Sequence, residues 1–167
     1  MFVLIRALTY ATLFIGFVLV FLPARVLSSA GIGPPPFTGV WQVAGLLVGA
    51  AGAALAISCV VTFAVVGRGT PAPFDPPRRL VVRGPYRIVR NPMYIGAGLA
   101  LTGAALYYQA LALLAFVAGF LLVTHLFVLF YEEPTLRQMF GGEYNAYCRT
   151  TRRWWPTGLF QQPASRP

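Results

Sequence analysis

The chain has 167 residues, 57% of them hydrophobic and only 10% charged, too little polar surface to cover a water-soluble domain, which excludes a soluble fold. Its thirteen basic residues are all arginine, set against Asp75, Glu132, Glu133 and Glu143, for a net charge of +9. The arginines fall between or beyond the apolar runs, as the positive-inside rule places them on cytoplasmic loops, and that position argues against a nucleic-acid partner.

Residues 7 to 22 form a first apolar run after Arg6, followed to Gly39 by Pro23, the Pro34-Pro35-Pro36 triplet and one charge, Arg25. This pattern predicts a span and then an external loop. Ser28-Ser29-Ala30 also resembles a small-residue cleavage site, so a signal peptide is the competing reading. Val40 to Val66 is a longer run, about 40 Å if helical, enough to cross a core of about 30 Å with tilt. Within it Gly45, Gly49, Gly52 or Ala53, and Ala56 recur at helical spacing, a smooth face for a neighbouring helix. Residues 67 to 92 carry six arginines and six prolines and read as a cytoplasmic connector.

From Met93 to Tyr131 there is no Asp, Glu, Lys or Arg. One straight helix of that length would reach about 58 Å, almost twice the hydrocarbon thickness, so the segment folds back. The least apolar point, Tyr107-Tyr108-Gln109, suits an interface and divides spans 93–107 and 110–131 into a helical hairpin. Four spans with the amino terminus inside put twelve of the thirteen arginines in the cytoplasm and leave only Arg25 outside. The tail from 132 to 167 is then cytoplasmic, and 135–150 reads as a short interfacial helix with Leu136, Met139, Phe140, Tyr144 and Tyr147 on one side. The expected fold is an all-α polytopic transmembrane bundle, a single integral membrane domain over 1–167. Its expected place is a bacterial inner membrane, both termini cytoplasmic.

Cys59 in an apolar run and Cys148 in a basic tail have no metal-like spacing, so neither a disulfide nor a metal is expected. Chemistry concentrates where the connector meets the third span. Taken alone, Arg83-Gly84-Pro85-Tyr86-Arg87 through Gly98 is a basic juxtamembrane turn with a proline at a helix start. The fourth span ends Tyr131-Glu132-Glu133-Pro134, and carboxylates at a bilayer edge are functional or paired. The hairpin returns them to the face that holds Arg83, Arg87, Arg90 and Tyr94. Neighbours on a helix diverge by about 100 degrees, so one glutamate can face a ligand while the other holds an arginine. A purely structural ion pair is the alternative. His125, seven residues before Glu132, lies two turns deeper on the same helix face, where it is either substrate-side or a hydrogen-bonded link to another helix.

From Arg83 to Pro156 the chain resembles the isoprenylcysteine carboxyl methyltransferase and phospholipid methyltransferase superfamily of integral membrane enzymes. The matching residues are Gly84-Pro85-Tyr86-Arg87, Arg90, Pro92, Tyr94, Gly96, Glu132-Glu133, Phe140-Gly141, Tyr144, Tyr147, Arg153-Trp154 and Pro156. Two positions depart from the pattern: Asn91 stands where the superfamily usually has histidine, and Thr151-Arg152 replaces Val-Pro. Asparagine hydrogen-bonds but does not titrate near neutral pH.

The resemblance implies S-adenosylmethionine as methyl donor and a lipophilic or lipid-linked acceptor reached from the membrane, with membrane lipids as partners. It assigns Arg90, Asn91 and Tyr94 to catalysis. Cofactor binding falls to Tyr86, Arg87, Arg90, Asn91, Pro92, Tyr94, Gly96, Gly98, Glu132, Glu133, Tyr144, Tyr147 and Arg153. An arginine clasps the cofactor carboxylate, a glutamate meets the ribose hydroxyls or the ammonium, and a tyrosine covers the adenine. Gly96 permits close approach of a backbone, but on a regular helix Gly98 points about 200 degrees away from it, so both touch the cofactor only where that helix end is irregular; otherwise Gly98 is packing, with Ala97 and Leu101 against the second span. A carboxylate acceptor needs no base, whereas an amine or thiol must lose a proton that Asn91 cannot take, leaving a substrate thiol or a water relay to do it. The competing classes are a membrane reductase of the steroid type, using a nicotinamide cofactor, and a lipid-binding protein without activity.

Overall fold

The computed structural model describes residues 9, 12–13, 15–67 and 79–156 and is entirely helical over its ordered elements. A π-helical stretch, Ile15–Phe21, leads into α1 (Leu22–Ser29); α2 is Val40–Thr62, extended by a π-helical Phe63–Gly67. A 3-10 turn, Gly84–Arg87, precedes α3 (Pro92–Tyr108); α4 is Leu111–Phe127, continued by a π-helical Val128–Glu132 into α5 (Glu133–Thr150). Two helical stretches, Val40–Thr62 and Leu111–Thr150, are long and apolar enough to cross a membrane. Residues 1–8, 10, 11 and 14, the connector residues 68–78 and the last eleven residues lie outside the described residues.

The tightest contact joins α2 to α3, and small residues make it. The stripe anticipated from the sequence faces α3 through Gly45, Gly49, Gly52 and Ala56, while Ala53 points outward. A Cβ on Gly103 would sit 2.4 Å from the Gly49 nitrogen, and one on Gly52 2.4 Å from the Ala100 nitrogen, so the backbones meet directly. Gln42, buried in the first turn of α2, accepts from the Gly39 N–H at 2.9 Å and donates to the Tyr107 carbonyl at 3.1 Å, tying the start of α2 to the end of α3.

Replacing Gly103 with alanine forces two backbones apart and is expected to destabilise the detergent-solubilised protein by about 1–3 kcal/mol. Gly119→Ala meets open space and serves as the control, expected within about 0.5 kcal/mol of the native chain in the same thermal unfolding assay.

The hairpin turn falls at Gln109, in the left-handed region at φ 51, where the sequence is least apolar. Ala105, Ala110 and Leu113 pack there with Val26 and Leu27 of α1, so the link between α1 and α2 lies at the hairpin-turn end. Higher along the bundle Ala97 and Leu101 pack against Val117 and Phe120 of α4. Leu46, Leu47, Ile57, Val61, Leu122, Val123 and Phe130 point outward, each at least half exposed, the apolar exterior of a protein dissolved in lipid.

Three expectations are corrected. The helix after the first run does not stop at Pro23 but passes through it to Ser29, because the π-helical turns just before it open the backbone where the ring would meet the carbonyl four residues back. Pro134 is carried the same way by Val128–Glu132, so the tail helix starts at Glu133 as a continuation of α4 rather than separately at 135. The presumed face of that tail helix is also broken. Gly141, at φ 49 and ψ −118, interrupts it, leaving Met139 exposed while Tyr144 and Tyr147 turn inward.

Candidate functional site

At the end opposite the hairpin turn, four segments converge: the close of α2, the connector from Arg79 to Asn91, the junction of α4 with α5, and the tail to Trp154. Tyr86 is buried against Phe63 in an edge-on ring contact at 5.2 Å and packs with Cys59 and Val81. Its carbonyl accepts from the Tyr147 hydroxyl at 2.6 Å, which docks the second half of α5 onto the 3-10 turn.

The tail closes over this arrangement. The Arg90 N–H donates to the Arg152 carbonyl at 2.9 Å, and Asn91 Nδ2 donates to the Arg153 carbonyl at 3.3 Å. Trp154 Nε1 donates to His125 Nδ1 at 3.0 Å, so the lone intramembrane histidine is linked to the tail rather than to another span.

The two glutamates separate as their 100-degree divergence requires. Glu133, only 6% exposed, receives Arg153 through two parallel hydrogen bonds of 2.7 and 2.9 Å, Arg90 Nη2 at 3.3 Å and the more distant Arg137 at 3.9 Å. Burial alone pushes its carboxyl up, but the Arg153 hydrogen bonds and the charges of Arg90, Arg153 and Arg137 outweigh that and hold it below the usual carboxylate range. Glu132, one residue past the apolar run, meets no cation among the described residues; its Oε2 accepts from the Tyr94 hydroxyl at 3.0 Å. Burial pushes its carboxyl up, against the Tyr94 hydrogen bond, and the neighbouring Glu133 charge adds to the rise.

A cavity of about 40 Å³ opens between these groups, lined by Tyr86, Arg90, Asn91, Glu132, Tyr144 and Tyr147 among others. Leu80 also lines an open groove of about 660 Å³ with Val65, Val66, Arg79, Arg83, Phe140 and Glu143, so the two spaces adjoin. Arg90 Nη1 donates to the Cys148 sulfur. Its Nε is the one buried side-chain nitrogen or oxygen without a partner among the described residues. Burial pushes the hydroxyls of Tyr86, Tyr144 and Tyr147 up, which keeps them protonated as donors.

The structure therefore brings together Tyr86, Arg90, Asn91, Pro92, Tyr94, Glu132, Glu133, Tyr144, Tyr147 and Arg153, and sets three residues apart. The Cβ position of Gly96 is filled by α2, 2.8 Å from Gly52 O and Ala56 N, and that of Gly98 by Leu121 of α4 at 3.0 Å. Both glycines are helix packing, and it is Gly96, not Gly98, that meets the second span. Arg87 points to the exterior. Cys148 and Trp154 escaped sequence reasoning as site residues. Cys148 shares a face with Tyr144, four residues earlier, a spacing that could have signalled it, whereas the reach of Trp154 to His125 depends on the path of the tail. Cys59 and Cys148 are both free, and among the described residues no group of three or more His, Cys, Asp or Glu side chains converges.

A search of curated proteins and a search of solved structures return no match. The phospholipid methyltransferase family model matches residues 40–143, a span that begins with α2 and takes in Arg90, Asn91, Tyr94 and both glutamates. That match covers more than half of the chain, and together with the all-helical bundle and its apolar exterior it shows that the chain belongs to the phospholipid methyltransferase family.

Proposed function

We propose that this membrane methyltransferase uses S-adenosylmethionine as donor, held where α3 begins and α4 ends, on the cytoplasmic side of a single four-span domain with the last two spans as a hairpin. Family membership makes methyl transfer to a lipid-like acceptor the activity and leaves the nicotinamide reductase and the inactive lipid binder without support. The concentration of twelve arginines at one side supports the orientation.

One observation carries the cofactor assignment: the buried Nε of Arg90, without a partner among the described residues, in a side chain that lines an acid-containing, tyrosine-walled cavity. A buried guanidinium nitrogen without an acceptor costs free energy that a ligand carboxylate recovers. The inner cavity has room for one small charged group, and the adjoining groove falls within the ~300–1,000 Å³ of small-molecule sites. Arg90 would hold the carboxylate, Asn91 would orient it, and Tyr86, Tyr144 and Tyr147 would wall the site. Arg79, Arg83, Phe140 and Glu143 offer charge of both signs and an aromatic face to the rest of the molecule. When bound, the cofactor supplies an electrophilic methyl on a sulfonium. The protein lowers the barrier by placing the acceptor in line and keeping water out. Glu133 and Arg153 would serve as the frame, fixing Arg90 and the tail.

The direct test incubates the purified chain in lipid vesicles with methyl-labelled S-adenosylmethionine. Label is expected in the lipid fraction, dependent on active protein; a lipid fraction without label contradicts this reading.

A further inference from the structure

Arg90 and Asn91 can hold a carboxylate only where their own positions are fixed, and main-chain oxygens of the tail do part of that fixing. The Arg90 N–H donates to the Arg152 carbonyl at 2.9 Å, and Asn91 Nδ2 to the Arg153 carbonyl at 3.3 Å. A carbonyl is placed by the chain on both sides of it. On the near side the anchor is Thr151, buried where α5 ends, whose N–H donates to the Tyr147 carbonyl at 2.9 Å. The Arg153 side chain reaches Glu133, but a side chain with so many rotatable bonds tethers its head group better than its backbone. On the far side the anchor is Trp154. Its indole Nε1 donates to His125 Nδ1 at 3.0 Å, with 5.9 Å between the ring centroids. An indole nitrogen only donates, so His125 accepts at Nδ1 and carries its proton on Nε2. Residues 152 and 153 are thus strung between two fixed points, with their carbonyls on Arg90 and Asn91. Neither His125 nor Trp154 lines the cavity or the groove.

We propose that His125 and Trp154 are positioning residues for cofactor binding: their hydrogen bond latches the tail to α4 and so holds Arg90 and Asn91 in place. This rests on the reading that the cofactor carboxylate lies at Arg90. Without the latch the main chain of 152 and 153 is fixed from one side only, and the arrangement that binds is a smaller fraction of the whole. Apparent affinity falls by that fraction. The loss is bounded by the strength of one hydrogen bond between membrane-embedded side chains, which corresponds to roughly 3- to 20-fold in affinity. The bond, rather than the bulk of the ring, is what the proposal requires. Asparagine at 125 sets an oxygen close to the place of Nδ1 and keeps the acceptor, whereas leucine fills the space without one.

The test measures calorimetric affinity for S-adenosylhomocysteine in the full chain in lipid nanodiscs, with thermal unfolding alongside. The native protein is compared with His125→Leu, His125→Asn, Trp154→Phe and the double variant His125→Leu with Trp154→Phe. Each of His125→Leu and Trp154→Phe is expected to weaken binding about 3- to 20-fold. The double variant loses no more than the weaker-binding single one, because both substitutions remove the same bond, and His125→Asn binds as the native chain does. Trp154→Phe keeps an aromatic ring and lies outside the spans, so it reads the latch in a folded protein even where His125→Leu unfolds. Native affinity in Trp154→Phe overturns the proposal. So does an equal loss in His125→Asn and His125→Leu, which assigns the effect to ring packing, or a double variant whose loss is the product of the two single losses. A native chain that fails to bind S-adenosylhomocysteine overturns the cofactor reading itself, and the proposal with it.

Discussion

Replacing Glu133 with glutamine is expected to lower the stability of the detergent-solubilised protein by about 3 kcal/mol, the low end of the range for removing one partner of a buried ion pair. The low end applies because Arg153 keeps 27% of its side chain exposed and is partly hydrated without the carboxylate, whereas Arg90, at 12%, is not. Glutamine retains the shape and one acceptor oxygen but leaves two guanidinium groups facing a neutral amide. The sign of the pH dependence follows from the same contacts. Glu133 has a carboxyl held below its ordinary value of 4.5, so its contribution is complete at neutral pH and fades as the pH drops below 4.5 through the lower folded value. Thermal unfolding followed between neutral and acid pH should show the native chain converging on Glu133→Gln at the acid end. Parallel curves would mean that Glu133 contributes no paired charge.

Arg90→Ala is expected to weaken binding of S-adenosylhomocysteine by about 100-fold while leaving the fold intact. A hydrogen bond to a charged group is worth about 1.5–3 kcal/mol, or roughly one to two orders of magnitude in affinity. The fold survives because Glu133 retains both hydrogen bonds from Arg153, and because the Arg90 contact that anchors the tail is made by its backbone N–H rather than its side chain. Calorimetric titration reads the affinity, and the unfolding curve reads the fold. Equal affinity in native and variant protein would remove Arg90 from the site.

The parts of this arrangement that were legible in the sequence depend on local chemistry. A charge-free stretch too long for one crossing, with an amide at its middle, dictates a turn, and Gln109 makes it. Adjacent glutamates on a helix point different ways, and Glu132 and Glu133 do. What was not legible depends on which surfaces meet. Gly96 reads as a close approach to a ligand and Gly98 as helix packing, and only the positions of α2 and α4 show that both are filled by protein. Pro23 and Pro134 read as helix ends because a proline removes a hydrogen bond; the π-helical turns that absorb them leave no residue signature. The tail path, with Trp154 against His125, follows from the Arg153–Glu133 pair, whose partners are twenty residues apart.

The location of the cofactor is tested most directly by ultraviolet cross-linking of labelled S-adenosylmethionine to the native protein, followed by peptide mapping. Label is expected in the peptides that carry 79–94 and 132–154, at the end where Arg90 and Glu132 meet. Label confined to peptides around Gln42 and Gln109, at the hairpin-turn end, would contradict the account.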